Sequence, residues 1–345
     1  MNKIGLLAAA FVALAFSGCI NENLSQCGDR GVLGHEDNEQ PVVKLQVHWD
    51  TYNPALVPAK GMRINLQSLT AGYNGYGRDF LGTDWVKLLD LPDGTSHLAM
   101  AYNYDDCEQV FFRNESNRDI EAYCKSGQRN TYEKLMKQGV APWEPLVVEP
   151  DRLYAATVQE FDVDWTQAVD DTLHLDMYPD SLSREFTYCI RNVKGTGNLA
   201  SNGLRAALSG MAGSYFIARQ LPVTTPSTVL VNSAAVKNIS ATACIVGTFR
   251  SFPPADGAKQ LFCLETLSKG SDYAFALWDV SAQLKASMSD RAAKLARDGY
   301  DILIDNSEGL LPAIPAPPLD GEEGDNGGFD VDVNDWDDQD VYPYN

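Results

Sequence analysis

The chain has 345 residues, with 47 acidic against 27 basic side chains, for a formal net charge of −20. That balance argues against nucleic acid as a partner, because phosphate binding needs clustered Lys and Arg. With 44% apolar residues the chain is too hydrophobic to be disordered, and its length suits two domains of ~100–200 residues each.

The chain opens on Met1-Asn2-Lys3, an apolar run from Ile4 to Phe16, and Ser17-Gly18-Cys19. One basic residue, a short apolar stretch and small residues before a break describe a secretory signal peptide over residues 1–18. The run is shorter than the ~20 residues a bilayer span needs. Ser17-Gly18 directly before a Cys resembles a lipobox, the signal after which Cys19 becomes the acylated first residue of the mature chain. Two or more acyl chains anchor stably where one does not. Residues 19–40 are polar and rich in Asn, Gly, Asp and Glu, the composition of a flexible tether.

Strand patterns then follow one another. Val43, Leu45 and Val47 alternate with polar residues, as do Met62, Ile64 and Leu66. Leu88 to Tyr102 reads as a hairpin turning at Pro92-Asp93-Gly94. Val110-Phe111-Phe112 is a short strand, 132–136 a short helix ended by Gly139, and Leu153 to Val163 the strand that closes a first domain, 41–165. A second, 166–318, continues with strands at 184–193, 203–218, 229–231, 240–249, 260–266 and 273–278. Ser281 to Arg297 is the best helix, with Leu284, Met288, Ala292 and Leu295 at helical spacing and Gly299 at the C-terminal cap position. Ile302–Ile304 returns to strand, and Pro312 to Pro318 reads as an extended linker. Many short strands separated by turns indicate a mainly β protein of two sandwich domains with one or two short helices.

The tail, 319–345, carries ten acidic residues and no basic one, and so supplies half of the net charge. Phe329, Val331 and Val333 alternate with Asp330, Asp332 and Asn334. These three are candidates for a last strand of the second sandwich or for a strand exchanged with a partner subunit.

Six cysteines remain beside Cys19: Cys27, Cys107, Cys124, Cys189, Cys244 and Cys263. An even number in an exported chain suggests disulfides, and sequence alone does not choose the pairing. Cys107 and Cys124 are close in sequence, and a bridge between them would be worth ~3 kcal/mol on the chain-entropy model. Cys244 and Cys263 lie on apolar segments that read as neighbouring strands, which makes them candidates as well.

Chemistry is sparse. Asp330-x-Asp332-x-Asn334 opens like a calcium loop but has Asp335 and Val341 where the EF-hand needs Gly and Glu. Ser209 lacks the flanking glycines of a nucleophile elbow. His35, His48, His97 and His174 have no metal spacing, and no cofactor fingerprint or catalytic set is present. Asp171-Thr172-Leu173 and Asp180-Ser181-Leu182 match an O-glycosylation acceptor pattern at about chance frequency for so acidic a chain. The six tryptophans are candidate sugar-stacking platforms, with core packing as the default.

Several segments together resemble a family. In order they are the lipobox Cys19, Asn23-Leu-Ser-Gln-Cys27, Leu91 to Asn103, Val110-Phe-Phe-Arg-Asn114, Tyr154-Ala-Ala-Thr-Val158, Leu208-Ser-Gly-Met-Ala-Gly213 and Gly327-Gly-Phe-Asp-Val331. This is similar to the lipoproteins related to FimB-type fimbrial anchor subunits of gut and oral anaerobes. The resemblance implies two transthyretin-like Greek-key β-sandwiches and a non-enzymatic role in pilus anchoring, assembly or adhesion. It also implies an outer-membrane location, with the membrane as a partner through lipid on Cys19 and pilin subunits as further partners. A glycan-binding surface lipoprotein is the alternative. The chain departs from anchor subunits in its extra cysteines and long acidic tail.

Overall fold

A computed structural model describes residues 42–48, 59–72, 76–81, 86–103, 107–115, 119–128, 143–239 and 242–317. The signal peptide, Cys19, the tether, the 132–136 segment and the tail lie outside them. Among the described residues the chain forms, in order, β1 (Val42–Val47), β2 (Gly61–Ser68), β3 (Tyr76–Leu81), β4 (Val86–Leu89), β5 (Ser96–Asn103), β6 (Val110–Arg113), β7 (Glu121–Cys124), β8 (Leu146–Val148) and β9 (Tyr154–Asp162). It continues with β10 (Thr172–Met177), β11 (Asp180–Ser181), β12 (Arg184–Arg191), β13 (Leu199–Ala212), β14 (Ser214–Phe216), β15 (Leu221–Pro222), β16 (Pro226–Val231), β17 (Ala235–Ile239) and β18 (Thr242–Ser251). The last elements are β19 (Leu261–Ser268), β20 (Tyr273–Asp279), α1 (Ser281–Ser289), α2 (Arg291–Leu295) and β21 (Ile302–Asp305).

The protein is mainly β, built as two sandwiches, as the strand patterns predict. In the N-terminal sandwich, sheet β10-β1-β4 faces sheet β11-β9-β5-β2-β3. The period-2 pattern of β1 explains the packing. Val43, Leu45 and Val47 are buried against Met62, Ile64 and Leu66 of β2, while Lys44 and Gln46 stay half-exposed. In the C-terminal sandwich, sheet β17-β18-β12-β21 faces sheet β20-β19-β13-β16-β8. Phe186, Tyr188 and Ile190 of β12 point inward, with Phe186 stacked on Phe249 at 5.3 Å between ring centroids. Each fully buried side chain of this size contributes roughly 1.5–3 kcal/mol.

Four expectations are corrected. The division at residue 165 is displaced, and the two halves interlock. β10 pairs in parallel with β1 and β11 antiparallel with β9, so residues 172–181 complete the N-terminal sandwich. Conversely β8 pairs in parallel with β16 and belongs to the C-terminal one. The break at Trp165 is a single 3₁₀ turn capped by Asp164, whose carboxylate accepts from Thr166 N, and not a linker.

The Pro92-Asp93-Gly94 turn joins two sheets and makes no hairpin, since β4 pairs with β1 while β5 pairs with β2 and β9. Thr95 Oγ1 donates to Pro92 O within the turn, and two further bonds reach outside it: Gly94 N donates to Val163 O, and Asp93 accepts from Trp165 N.

The helix over 281–297 is broken in two. Asp290 takes extended backbone angles and accepts from Ala292 N, so it ends α1 and caps α2. Carboxylates that bond nearby backbone N–H groups compete with helix continuation in this way. Gly299 does close the second piece, donating to Lys294 O at a φ of 83°.

The proline-rich segment is docked through Leu311 and Ile314, while Pro312, Ala313 and residues 315–317 are exposed. Leu311 and Ile314 are buried in the main core, and Ile314 N donates to Lys194 O.

A candidate interaction surface on the bridging sheet

A third sheet, β15-β14-β7-β6, joins the two halves. Its β6 and β7 follow the first strands of the N-terminal sandwich, and β14 and β15 extend directly from β13. Its inner face closes the core on both sides. Phe112 lies 4.8 Å from Tyr102 of the N-terminal sandwich, and Tyr215 lies 6.0 Å from Phe252 of the C-terminal one. Glu115, just after β6, straps the sheet down. Its carboxylate receives Arg63 and the Tyr102 hydroxyl, and its carbonyl accepts from Asn65 and Gln67. Asp151 holds the start of β6 by accepting from Gln109 N and Val110 N.

The outer face follows from the register. Phe111 is opposite Tyr123, Arg113 opposite Glu121, Glu121 opposite Phe216, and Phe216 opposite Leu221. Period-2 alternation therefore gathers Phe111, Arg113, Tyr123, Phe216 and Leu221 on one side. Phe111 is 43% exposed and Leu221 58%. The Phe111 and Tyr123 rings sit 5.9 Å apart at 36°, and the Arg113 guanidinium lies 5.0 Å above the Tyr123 ring. Arg219 lies 5.0 Å over Phe216 and also pairs with Asp119. Arg113 spends its charge on Glu121, which is buried and receives Ser214 as well. The face is thus aromatic and framed by two arginines whose charges are met locally, on a chain that is strongly acidic overall. Exposed aromatic and arginine side chains on a rigid sheet are the composition of protein–protein hot spots.

A family model described as a domain of unknown function, DUF5119, matches residues 27–232. The chain belongs to that family. The matched stretch takes in the N-terminal sandwich, the bridging sheet and the C-terminal strands through β16. In this DUF5119 protein β17 to β21 lie beyond the match, although they close the second sandwich. Among solved structures, a protein from Bacteroides ovatus described as a "putative adhesin" aligns at a TM-score of 0.53 with 16% identity, covering 70% of this chain and 84% of that one. The fimbrial anchor protein Mfa2 from Porphyromonas gingivalis aligns at 0.49 with 12% identity, covering 72% of this chain and 85% of that one. The likeness to the Bacteroides ovatus protein is one of fold. Among curated proteins nothing matches the chain.

Sequence-predicted site residues fall as follows in the DUF5119 protein. Cys19 and the strand-exchange candidates Phe329, Val331 and Val333 lie outside the described residues. Cys124 is a free thiol in the main core. The expected Cys107–Cys124 bridge is not made, because the register sets Cys124 opposite Val110, three residues past Cys107, whose sulfur contacts Asn103 instead. Burial, and secondarily the Asp151 charge, push the Cys124 thiol far above its ordinary range. Cys244 and Cys263 are in different sheets of the C-terminal sandwich and face away from its core on opposite sides. They are therefore not neighbours.

Ser209 is buried and accepts from Leu261 N, a structural role. His97 is buried, bonded to Thr95, and its ring pKa is lowered by burial. His48 stacks on Tyr178 and bonds Asp176. Trp143 is 91% exposed and Trp165 packs against the N-terminal core. Among the described residues no cluster of metal-ligating side chains is present.

The sequence reading missed the bridging-sheet face. Its signal was the doubled aromatic in Val110-Phe111-Phe112-Arg113: on a two-sided strand one ring must face outward.

Proposed function

We propose that this chain is a lipid-anchored, non-enzymatic surface protein of the fimbrial anchor and adhesin class. Acylated Cys19 would hold it in the outer membrane, and the outer face of the bridging sheet would receive a fimbrial subunit. The observation that carries the reading is the two-sandwich fold held in common with the Bacteroides ovatus protein over most of that protein's length. The lipobox ahead of a polar tether, and a hot-spot-like face on the sheet that joins the two sandwiches, support it. The tail residues Phe329, Val331 and Val333 complete the second sandwich or are lent to the same partner.

The test uses Phe111→Ser and Tyr123→Ser in the full chain, against fimbrial subunits sheared from the same cells. Both substitutions lie on an outward face, so the melting temperature should hold while affinity falls roughly tenfold or more. Unchanged affinity in both variants removes this face from the proposal. Glycan binding is the second reading, favoured by the exposure of Phe111 and Trp143. Saturable binding of a neutral oligosaccharide, lost in Phe111→Ser or Trp143→Ala, would favour it instead.

A further inference from the structure

The cysteine pair that the fold brings together is one the sequence did not single out. Cys189 on β12 and Cys244 on β18 occupy adjacent antiparallel strands. Cys189 is opposite Val246, so Cys244 sits two residues along, on the same face and on the diagonal. That face is the outer one, away from the sandwich core. Cys189, Cys244 and Val246 form a separate buried cluster there, with Tyr300 and, on the neighbouring strand β21, Leu303 packed against it. The two thiols are not bridged in the structure. Cys263 is on the far face of the opposite sheet, and Cys124 is in the main core.

We propose that Cys189 and Cys244 form the structural disulfide of the C-terminal sandwich. The inference rests on the export step of the proposed function, since the bond persists only in an oxidising compartment. The two thiols lose two protons and two electrons and one S–S bond forms. The electrons pass to the disulfide of a thiol–disulfide oxidant of that compartment, which becomes a dithiol. A same-face diagonal leaves the strands slightly wider apart than a disulfide spans. Forming the bond therefore draws β12 and β18 slightly together at this point.

The timing follows from burial. Burial first, and then the neighbouring Cys244, raise the Cys189 thiol to about 11. The folded, reduced protein therefore holds little thiolate and reacts slowly. Oxidation belongs to the stage of folding before Tyr300 and β21 pack against the pair. Once made, the bond fastens the central strand β12 to β18 and encloses every strand between them.

The experiment is peptide mapping without reductant. The full chain is refolded in a glutathione redox buffer, quenched with an alkylating agent, digested and mapped, alongside protein taken directly from cells. The expected result is a dominant Cys189–Cys244 linked peptide, abolished by Cys189→Ser, which leaves Cys244 open to alkylation. Reduction should lower the melting temperature by roughly 5–15 °C. Alkylation of both cysteines in the refolded chain, or linkage of either one to a different cysteine, overturns the inference. A bond present after refolding but absent in protein from cells supports the pairing and counts against export.

Discussion

Arg113 and Glu121 form a two-point ion pair across β6 and β7: Nε and Nη2 of the arginine each lie 2.7 Å from a different carboxylate oxygen. The pair is lopsided, because the Glu121 side chain is almost wholly buried while that of Arg113 is more than half exposed. Burial alone would push the Glu121 carboxyl up, but the hydrogen bonds from Arg113 and Ser214 outweigh it and leave it below the ordinary glutamate value. A depressed folded pKa contributes stability that is fully present above the unfolded value near ~4.3 and is lost as pH falls through the folded one. Glu121→Gln should therefore cost about 1–3 kcal/mol near neutral pH, toward the low end because Arg113 is solvated. The melting-temperature gap between the variant and the parent should be flat above about pH 5 and shrink below about pH 4. A gap that stays constant to pH 3 would show that the charge plays no part.

Asp301 is the deepest carboxylate described. Its side chain has no solvent exposure and accepts from Lys294 at 2.7 Å and from Thr187 N at 2.8 Å. Arg184 stands 3.7 Å from its second oxygen. Burial opposes ionisation here too, yet Lys294 and Thr187 hold the group below the usual aspartate range. Removing one partner of a buried pair strands the other, at about 3–5 kcal/mol. Asp301→Ala should lose that much in urea denaturation, and Lys294→Met added to it should cost little more. Additive losses would mean that the two side chains act independently.

The docked proline-rich segment depends on Gly195. This residue has a φ of 77°, and a Cβ there would overlap the Ile314 carbonyl. The same carbonyl accepts from Asn198 Nδ2 at 3.0 Å. Gly195→Ala should destabilise by about 1–3 kcal/mol through backbone strain and loss of close approach. It should also open residues 311–317 to limited proteolysis, and a protease-resistant variant of unchanged stability would contradict this.

Strand positions were legible in the sequence wherever one face is wet. Val43, Leu45 and Val47 announce β1, and Phe186, Tyr188 and Ile190 announce β12, because their alternation has a single explanation. The partners of those strands were not legible. Pro92-Asp93-Gly94 specifies a tight turn but not whether the chain re-enters the same sheet, and here Gly94 bonds Val163 just beyond β9, the sheet neighbour of β5. The parallel pairings of β8 with β16 and β10 with β1 join segments far apart in the chain, and no local pattern encodes them. Asp290 was a legible capping residue, yet helical spacing on either side of it concealed the break. For the cysteines, proximity in sequence pointed to Cys107 and Cys124, while the sheet register brings Cys189 to Cys244 across most of a domain.

The anchor on Cys19 is the point on which the fimbrial reading turns. The most direct measurement is the fraction of fimbriae retained on cells as against shed into the medium, in a strain whose chromosomal copy carries Cys19→Ala. Loss of fatty-acid labelling of the protein together with a rise in shed fimbriae is the predicted result. Labelling lost while fimbriae stay on the cells in parental number and length would contradict it.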